Sequence, residues 1–454
     1  MYDDLIAQYH NEGVQRIKLV FADIDGIHRG KYVSLDKFAS ILKNGGGFCD
    51  CILGWDSNDQ LYDNSKFTGW HTGFPDAYYQ VDLSSERRIP DEKDTPLFVI
   101  DLVDKDGNDH PICPRSVLKR ILLQAQNDNI EVKLAFEYEF FVFDETPHSI
   151  REKNYQNLTN FTPGNFGYST LRSSVHSELY HEFMDYCQTM HFPIEGLHCE
   201  TGPGVWEAAL TYKNALEMAD AAALFKTFAK TFFQKRNLMI TFMAKWSMDY
   251  PGQSGHIHQS LFDSKSKESL FYKKGSKGNM SSTMKSYLAG QQRYLKPFLA
   301  LCAPTINSYA RLVKGYWAPT SSSWGIENRT TALRVIPGTE ESQRIEFRVG
   351  SADANPYLAA AAIIGAGLLG IRQKLKATPA MTGNAYDQDD DLPKQYHFAS
   401  NLRQATDDLK SSPEARALFG EEFTAHYIAT REWEVREYER HVNDWQLKRY
   451  FEII

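Results

Sequence analysis

Leu134-Ala-Phe136-Glu137-Tyr138-Glu139-Phe140-Phe-Val142 is an apolar run interrupted by two carboxylates at positions i and i+2. Alternate side chains of a β-strand share a face, so Glu137 and Glu139 project together, roughly 6.5–7 Å apart along the backbone, while Leu134, Phe136, Tyr138, Phe140 and Val142 point the other way. Two like charges on one half-buried face destabilise a fold unless cations or arginines compensate them. The compensating groups have to come from elsewhere in the chain.

Three further segments repeat the pattern. In His256-Ile-His258-Gln-Ser260-Leu261, two imidazoles and a hydroxyl share a face. In Arg344-Ile-Glu346-Phe-Arg348-Val349, two guanidiniums flank a carboxylate, and Glu200 and Glu207 bracket the turn Thr201-Gly-Pro-Gly204. A single histidine on a strand is ordinarily a satisfied core residue, and an Arg-x-Glu-x-Arg strand is ordinarily a solvated edge. Five carboxylates and a histidine together on half-buried strands require cations. Oxygen-rich ligation with one imidazole favours Mg²⁺ or Mn²⁺ over zinc. Two such ions between carboxylates suit phosphoryl transfer from a nucleotide. Arg311, Arg329 and Arg334, in the run Asn307 to Arg334, supply guanidiniums for phosphate or carboxylate.

The composition fits that reading. The chain has 454 residues, 42% hydrophobic and 24% charged, enough for a large core and two or three domains. A net charge of −8 with scattered Lys and Arg leaves no footprint for nucleic acid and no polybasic segment for a membrane, so the partners are small molecules. Six cysteines without a C-x-x-C pair, and an acidic start without a secretory layout, fit a reducing cytoplasm. The longest apolar run, Tyr357 to Ile371, is shorter than the ~20 residues of a membrane span and reads as a buried helix.

Residues 15–34 predict two strands around an Asp25-Gly26 turn. A helix over Leu35–Leu42 follows, then a flexible loop opened by Gly45-Gly46-Gly47, and strands near Tyr79–Leu83 and Leu97–Leu102. The polar seam Asp104 to Asp109 divides an N-terminal domain, 1–108, from a larger domain, 109–454. In the second, helices are expected from Pro114, over Ser177–Met190, as an amphipathic segment over Asn214–Lys235, from Asn355-Pro356, and over Glu414–Ile454. Gly196–Trp206 reads as turn-rich and Met239–Lys245 as a buried strand. Gly365-Ala-Gly367-Leu-Leu-Gly370 matches the dinucleotide fingerprint, but it sits inside a helix with no preceding strand. Gly26-Ile-His-Arg-Gly30-Lys31 is one residue short of a phosphate loop.

These motifs, in this order from about residue 15 to 450, resemble glutamine synthetases and their relatives: Glu-Tyr-Glu-Phe-Phe, Glu200 to Glu207, Thr241-Phe-Met-Ala-Lys245, Gly-His-Ile-His-Gln-Ser-Leu, Asn-Ser-Tyr-x-Arg, Asn-Arg-Thr, and Arg-Ile-Glu-Phe-Arg with Asn-Pro-Tyr-Leu. The resemblance implies an α+β fold, with a β-grasp-like N-terminal domain and a catalytic domain of curved antiparallel sheet with helices, assembled as stacked rings, a dodecamer, with sites between subunits. It implies that Glu139, Glu200 and Glu207 hold one metal, and Glu137, His256 and Glu346 the other. Arg329 and Arg334 look like phosphate-side arginines. Arg311 and Arg348, with Gly252, look like the glutamate site, and His258, Ser260 and Arg344 fall at nucleotide positions. Asp56 is similar to the acid a neighbouring subunit brings to the amine pocket.

The implied reaction uses ATP and Mg²⁺ or Mn²⁺ to phosphorylate the γ-carboxylate of glutamate, after which an amine displaces phosphate. Where ammonia-using members carry a loop Glu, this chain has Trp317. Val205 and Pro251 also depart from the residues the family often has there. Trp317 cannot act as a base, but an indole face can receive an alkylammonium group. The expected activity is therefore a γ-glutamyl ligase for an organic amine, a polyamine or a monoamine. The alternatives are an ammonia-dependent glutamine synthetase and a catalytically silent relative.

Overall fold

The computed structural model describes residues 2–454. The predicted hairpin is present as β1 (Arg16–Ala22) and β2 (His28–Ser34). Its turn is closed by Asp23, whose Oδ1 accepts from the backbone N–H groups of Asp25 and Ile27 at 3.1 and 2.9 Å. Four more strands complete this sheet: β3 (Gly46–Cys49), β4 (Asp76–Val81), β5 (Arg87–Ile89) and β6 (Thr95–Val103). Its order is β2-β1-β6-β4-β3, with β5 also on β6, and β1 runs parallel to β6. The expected loop at Gly45–Gly47 is instead largely an edge strand. Gly46 is needed there because a Cβ would lie 2.2 Å from the Tyr79 ring on β4. Helices Tyr2–Asn11 and Leu35–Asn44 cover this sheet through Tyr9 and Phe38.

Arg115, in the helix Pro114–Asn127, ties the two sheets' surroundings together. It is 4% exposed and pairs with Asp82 and Asp101 of the N-terminal segment and with Asp220 of the helix Ala215–Gln234, at 2.6, 2.6 and 2.8 Å. Tyr357 Oη donates to the same Asp220 at 2.7 Å. A buried guanidinium with this many acceptors is compensated, and removing Arg115 would leave the buried Asp220 without its ion pair.

The second sheet is built on β7 (Ile130–Phe143), whose residues alternate between buried and half-buried from Ile130 to Phe140 as the period-2 pattern requires. With β8 (Ile194–Cys199), β9 (Val205–Leu210), β10 (Lys213–Asn214), β11 (Met239–Thr241), β12 (Gly255–Asp263), β13 (Trp324–Ile326), β14 (Leu333–Ile336) and β15 (Arg344–Phe347) it forms a curled nine-stranded sheet of order β13-β14-β15-β12-β7-β9-β8, with β10 and β11 also pairing with β7. Gly196–Trp206 is mostly a hairpin, because β8 and β9 pair across it and only residues 200–204 turn. Strand β11 stops at Thr241, since Lys245 N–H donates to Asn307 Oδ1 at 2.8 Å instead of to a ladder. The helix Ala215–Gln234 is less amphipathic than expected: thirteen of its twenty residues are buried, so it runs through the core.

The helix Ser282–Cys302 was not apparent from the sequence, where Gly290, Gln291, Gln292 and Pro297 break its apolar stripe. It packs against Pro356–Arg372, and this contact explains the false dinucleotide motif. A Cβ on Gly367 would lie 2.0 Å from the Tyr287 ring, and one on Gly370 would lie 2.1 Å from the Ser286 carbonyl oxygen. The glycines allow two helices to approach. The C-terminal segment divides at Gly420, with φ +89°, into Pro413–Phe419 and Glu421–Glu439, followed by Asp444–Tyr450. No described helix is long and apolar enough to cross a membrane, and none of the six cysteines forms a disulfide.

Candidate active site

Strand register assembles the site. On one face of the curled sheet, Glu207 of β9 stands opposite Glu139 of β7, Glu137 of β7 opposite His256 of β12, and Glu346 of β15 opposite both His258 of β12 and Arg334 of β14. These residues line a cleft of about 540 Å³ together with Glu200, Gly252, Arg311, Trp317, Arg329, Arg344 and Arg348.

Two groups in the cleft have ligand atoms within 4.8 Å of one another. One is Glu137, His256 and Glu346, the set expected for one ion. The other is Glu200, Glu207 and His198. Glu139 faces Glu207 across the strands, but its Oε2 accepts from the Ser254 N–H at 2.6 Å. His198 was missed, although His198-x-Glu200 carries the same i, i+2 signature. Its Nε2 lies 3.2 Å from Glu200 and 3.6 Å from Glu207, and its ring stacks on Tyr168 at 4.3 Å.

Electrostatics separates the two groups. Burial pushes the Glu207 carboxyl up to about 9, reinforced by Glu139, Glu137 and Glu200. Burial also opposes ionisation of Glu346, but Arg348 and the two histidines outweigh it and bring its carboxyl down to about 2. Glu346 is 2% exposed and held by Arg348 Nη1 at 2.5 Å and Arg334 Nη1 at 3.0 Å. Glu137 is likewise held well below the usual range against burial by His256 and His258. Arg344 Nε–H donates to His258 Nδ1 at 3.2 Å, which turns the other ring nitrogen toward Glu137, 3.0 Å away.

The residues fit divalent cations. Five carboxylates converge, burial and the neighbouring carboxylates raise the Glu207 carboxyl, and the buried His256 Nε2 has no partner.

Among the other expected residues, Arg311 is buried and donates to the carbonyls of Val349 and Arg348 at 2.8 and 3.2 Å, and burial lowers its guanidinium to about 10. Gly252 is packed on it so closely that a Cβ would meet Arg311 Cγ at 2.6 Å. Ser260 does not line the main cleft. It donates to the Gln343 carbonyl at 2.9 Å and lines a neighbouring cavity of about 520 Å³ shared with Glu137, His258 and Arg344. Trp317 stands at the cleft with φ +59° and 59% exposure. Asp56 does not line the cleft of its own chain. Its carboxylate accepts from the Asn58 and Gln60 N–H groups at 2.8 and 3.0 Å and from Trp433 Nε1 at 3.1 Å.

The model of the glutamine synthetase catalytic domain matches residues 111–450, the segment that holds every one of these cleft residues. The chain belongs to the glutamine synthetase family. It is 45% identical to type-1 glutamine synthetase 2 of Dictyostelium discoideum over 96% of this chain and 84% of that one. It is 33% identical to the glutamate–isopropylamine ligase of a Pseudomonas species, over 98% and 96% of the two chains. It is 34% identical to the gamma-glutamylethanolamide synthetase of Streptomyces coelicolor, over 97% and 93%. The solved structure of GmaS without ligand superposes with a TM-score of 0.85 at 24% identity, covering 99% of each chain, and carries the same fold. The protein is thus a glutamine synthetase-like, ATP-dependent carbon–nitrogen ligase.

Proposed function

We propose that this family member joins the γ-carboxylate of glutamate to an organic amine, a polyamine or a monoamine, through a γ-glutamyl phosphate. The observation that carries the proposal is Trp317: the loop Leu312–Pro319 over the acidic cleft contains no carboxylate and presents an indole instead. An aromatic face attracts an alkylammonium by about 0.5–2 kcal/mol but accepts no proton.

In this reading Arg311, Arg348 and Gly252 seat glutamate, and Arg329 and Arg334 face the transferred phosphoryl group. His258, Ser260 and Arg344 hold the nucleotide. Glu139, Glu200 and Glu207 would hold one Mg²⁺ or Mn²⁺, with His198 beside them, and Glu137, His256 and Glu346 the other. Bound there, the ions would neutralise charge spreading over the phosphoryl oxygens. A γ-carboxylate oxygen of glutamate attacks the γ-phosphorus of ATP and ADP leaves. The amine nitrogen then attacks the acyl carbon, phosphate departs, and the proton lost from the amine passes to a carboxylate acting as general base. Asp56 suits that role from a neighbouring copy in a ring: it is absent from its own cleft, and its carboxylate accepts from Trp433 Nε1.

The test is phosphate release with ATP, Mg²⁺ and glutamate across ammonia, methylamine, ethanolamine, putrescine and spermidine, with product masses recorded. An organic amine is expected to give the highest kcat/KM. Ammonia as the preferred acceptor, with Trp317→Glu adding nothing, would establish instead the ammonia-dependent reading that the name of the Dictyostelium relative supports.

A further inference from the structure

His198 reaches the carboxylates because strand β8 changes register. Ile194 of β8 stands opposite Leu210 of β9, but Gly196 stands opposite Ala209, so Glu195 is an extra residue and His198 falls opposite Glu207. Had the register of Ile194 continued, Leu197 would face Glu207 and the imidazole would lie on the other side of the sheet, since a one-residue slip exchanges the two faces of a strand. Bulges at sheet edges re-aim side chains in this way. The result is a rung of three polar groups across neighbouring strands: His198 of β8, Glu207 of β9 and Glu139 of β7.

The imidazole is held in one orientation. Its Nε2 lies 3.2 Å from Glu200 Oε1 and 3.6 Å from Glu207 Oε1, while the second oxygen of Glu200 accepts from the Thr201 N–H at 2.8 Å. Tyr168 lies flat on the ring, with centroids 4.3 Å apart and planes at 11°. The Tyr168 N–H donates to the Cys199 carbonyl at 2.7 Å, which docks this residue on the edge strand beside His198. Tyr168 has φ +56°, a backbone conformation that a bulky residue adopts only where its surroundings dictate it. At 70% exposure, burial of its own ring does not keep it there. The stack and the Cys199 bond do. With His198 included, both ligand groups have the same donor set of two carboxylates and one imidazole, since the other is Glu137, His256 and Glu346.

Resting on the two-ion reading above, we infer that His198 Nε2 is a further ligand of the ion held by Glu139, Glu200 and Glu207, that Tyr168 is the positioning residue that orients it, and that the site therefore prefers Mn²⁺ to Mg²⁺. A neutral imidazole with its proton on Nδ1 offers the Nε2 lone pair. Such a nitrogen suits first-row transition ions, whereas Mg²⁺ takes oxygen ligands and gives up its water reluctantly.

The experiment titrates the intact protein with Mn²⁺ and with Mg²⁺ by calorimetry, without nucleotide or substrate. His198→Gln replaces the nitrogen donor with an amide oxygen. It should weaken one Mn²⁺ step by about 10-fold or more and leave Mg²⁺ binding nearly unchanged, so that the preference for Mn²⁺ is lost. Tyr168→Leu should weaken the same step by about 10-fold, and Tyr168→Phe, which keeps the stacked ring, should restore it. In His256→Ala, which removes the imidazole of the other group, the remaining Mn²⁺ should still show a histidine nitrogen coupling by pulsed EPR, and adding His198→Gln should abolish it. An unchanged Mn²⁺-to-Mg²⁺ ratio in His198→Gln, or no nitrogen coupling in His256→Ala, overturns this inference and leaves the two-ion reading standing. Fewer than two Mn²⁺ bound by the unaltered protein overturns both. If His198→Gln does not fold, the nitrogen coupling in His256→Ala decides.

Discussion

Thr320 Oγ1 donates to Asp389 Oδ2 at 2.5 Å, across the cleft loop's C-terminal end. At the other end of that loop, Lys314 Nζ lies 3.8 Å from the same oxygen and 3.7 Å from Asp390. One carboxylate, 4% exposed, therefore ties both ends of the segment that carries Tyr316 and Trp317. Asp389→Asn removes the charge and keeps the shape. Loosening a positioning element costs on the order of 10-fold in kcat/KM for the amine. Phosphate released per amide formed should also rise, because water then competes for the acyl phosphate. A fully folded variant with an unchanged phosphate-to-amide ratio would rule the clamp out.

Glu137 and Glu139 are neighbours on one face, yet they belong to different surroundings: Glu137 faces His256 and Glu139 faces Glu207. Glu137→Ala and Glu139→Ala are each expected to abolish phosphoryl transfer, and each to lower the Mn²⁺ stoichiometry by one ion at a different affinity step. Calorimetric titration of both variants measures this. Turnover with both ions still bound would disprove the assignment.

The metal-free protein should weaken as pH rises. The Glu207 carboxyl is raised to about 9 by burial and by Glu139, Glu137 and Glu200, so the folded state binds a proton that the unfolded state releases above about 4.5. Stability is then complete below about 4.5 and is lost progressively toward 9. Mn²⁺ supplies the missing positive charge, so the rise in Tm on adding Mn²⁺ should be larger at pH 8.5 than at pH 6. An equal gain at both values would count against this origin.

The buried histidines predict the opposite slope on the acid side. His426 is fully buried between Leu53 O, which accepts from its Nε2 at 2.9 Å, and Ser65, and burial depresses it to about 4. The unfolded chain takes up the proton near 6.5, so stability is present above that value and falls as pH drops toward 4. Over that window the loss is about 3 kcal/mol for one such group. Denaturant unfolding between pH 4 and 7 should show it, and His426→Gln should flatten the profile.

Gly367→Ala places a methyl group into the Tyr287 ring and should cost about 1–3 kcal/mol or more through overpacking of the two central helices. Gly315→Ala, with nothing within 4 Å of its Cβ but φ +86°, tests backbone strain alone and should cost about 1 kcal/mol. Thermal unfolding of both variants separates packing from conformation.

The period-2 pattern by itself determined the faces: Glu137 with Glu139, His256 with His258, and Arg344 with Glu346 and Arg348 are read correctly from the sequence, because side-chain alternation on a strand is a local property. So are the hairpin at Asp25-Gly26 and the helix begun by Asn355-Pro356. Only the tertiary structure decided which strands lie side by side. That register put His256 opposite Glu137, brought Arg334 and Arg348 onto Glu346, joined His198 to Glu200 and Glu207, and left Asp56 outside its own chain's cleft. It also decided that Gly46 is an edge strand and that Gly367 and Gly370 are contact points between helices. The physical reason is range: alternation, capping and turn chemistry act over a few residues, whereas register, close approach and the pairing of buried charges are set by segments as far apart in the chain as Asp25 and Arg431, through packing that no single stretch encodes.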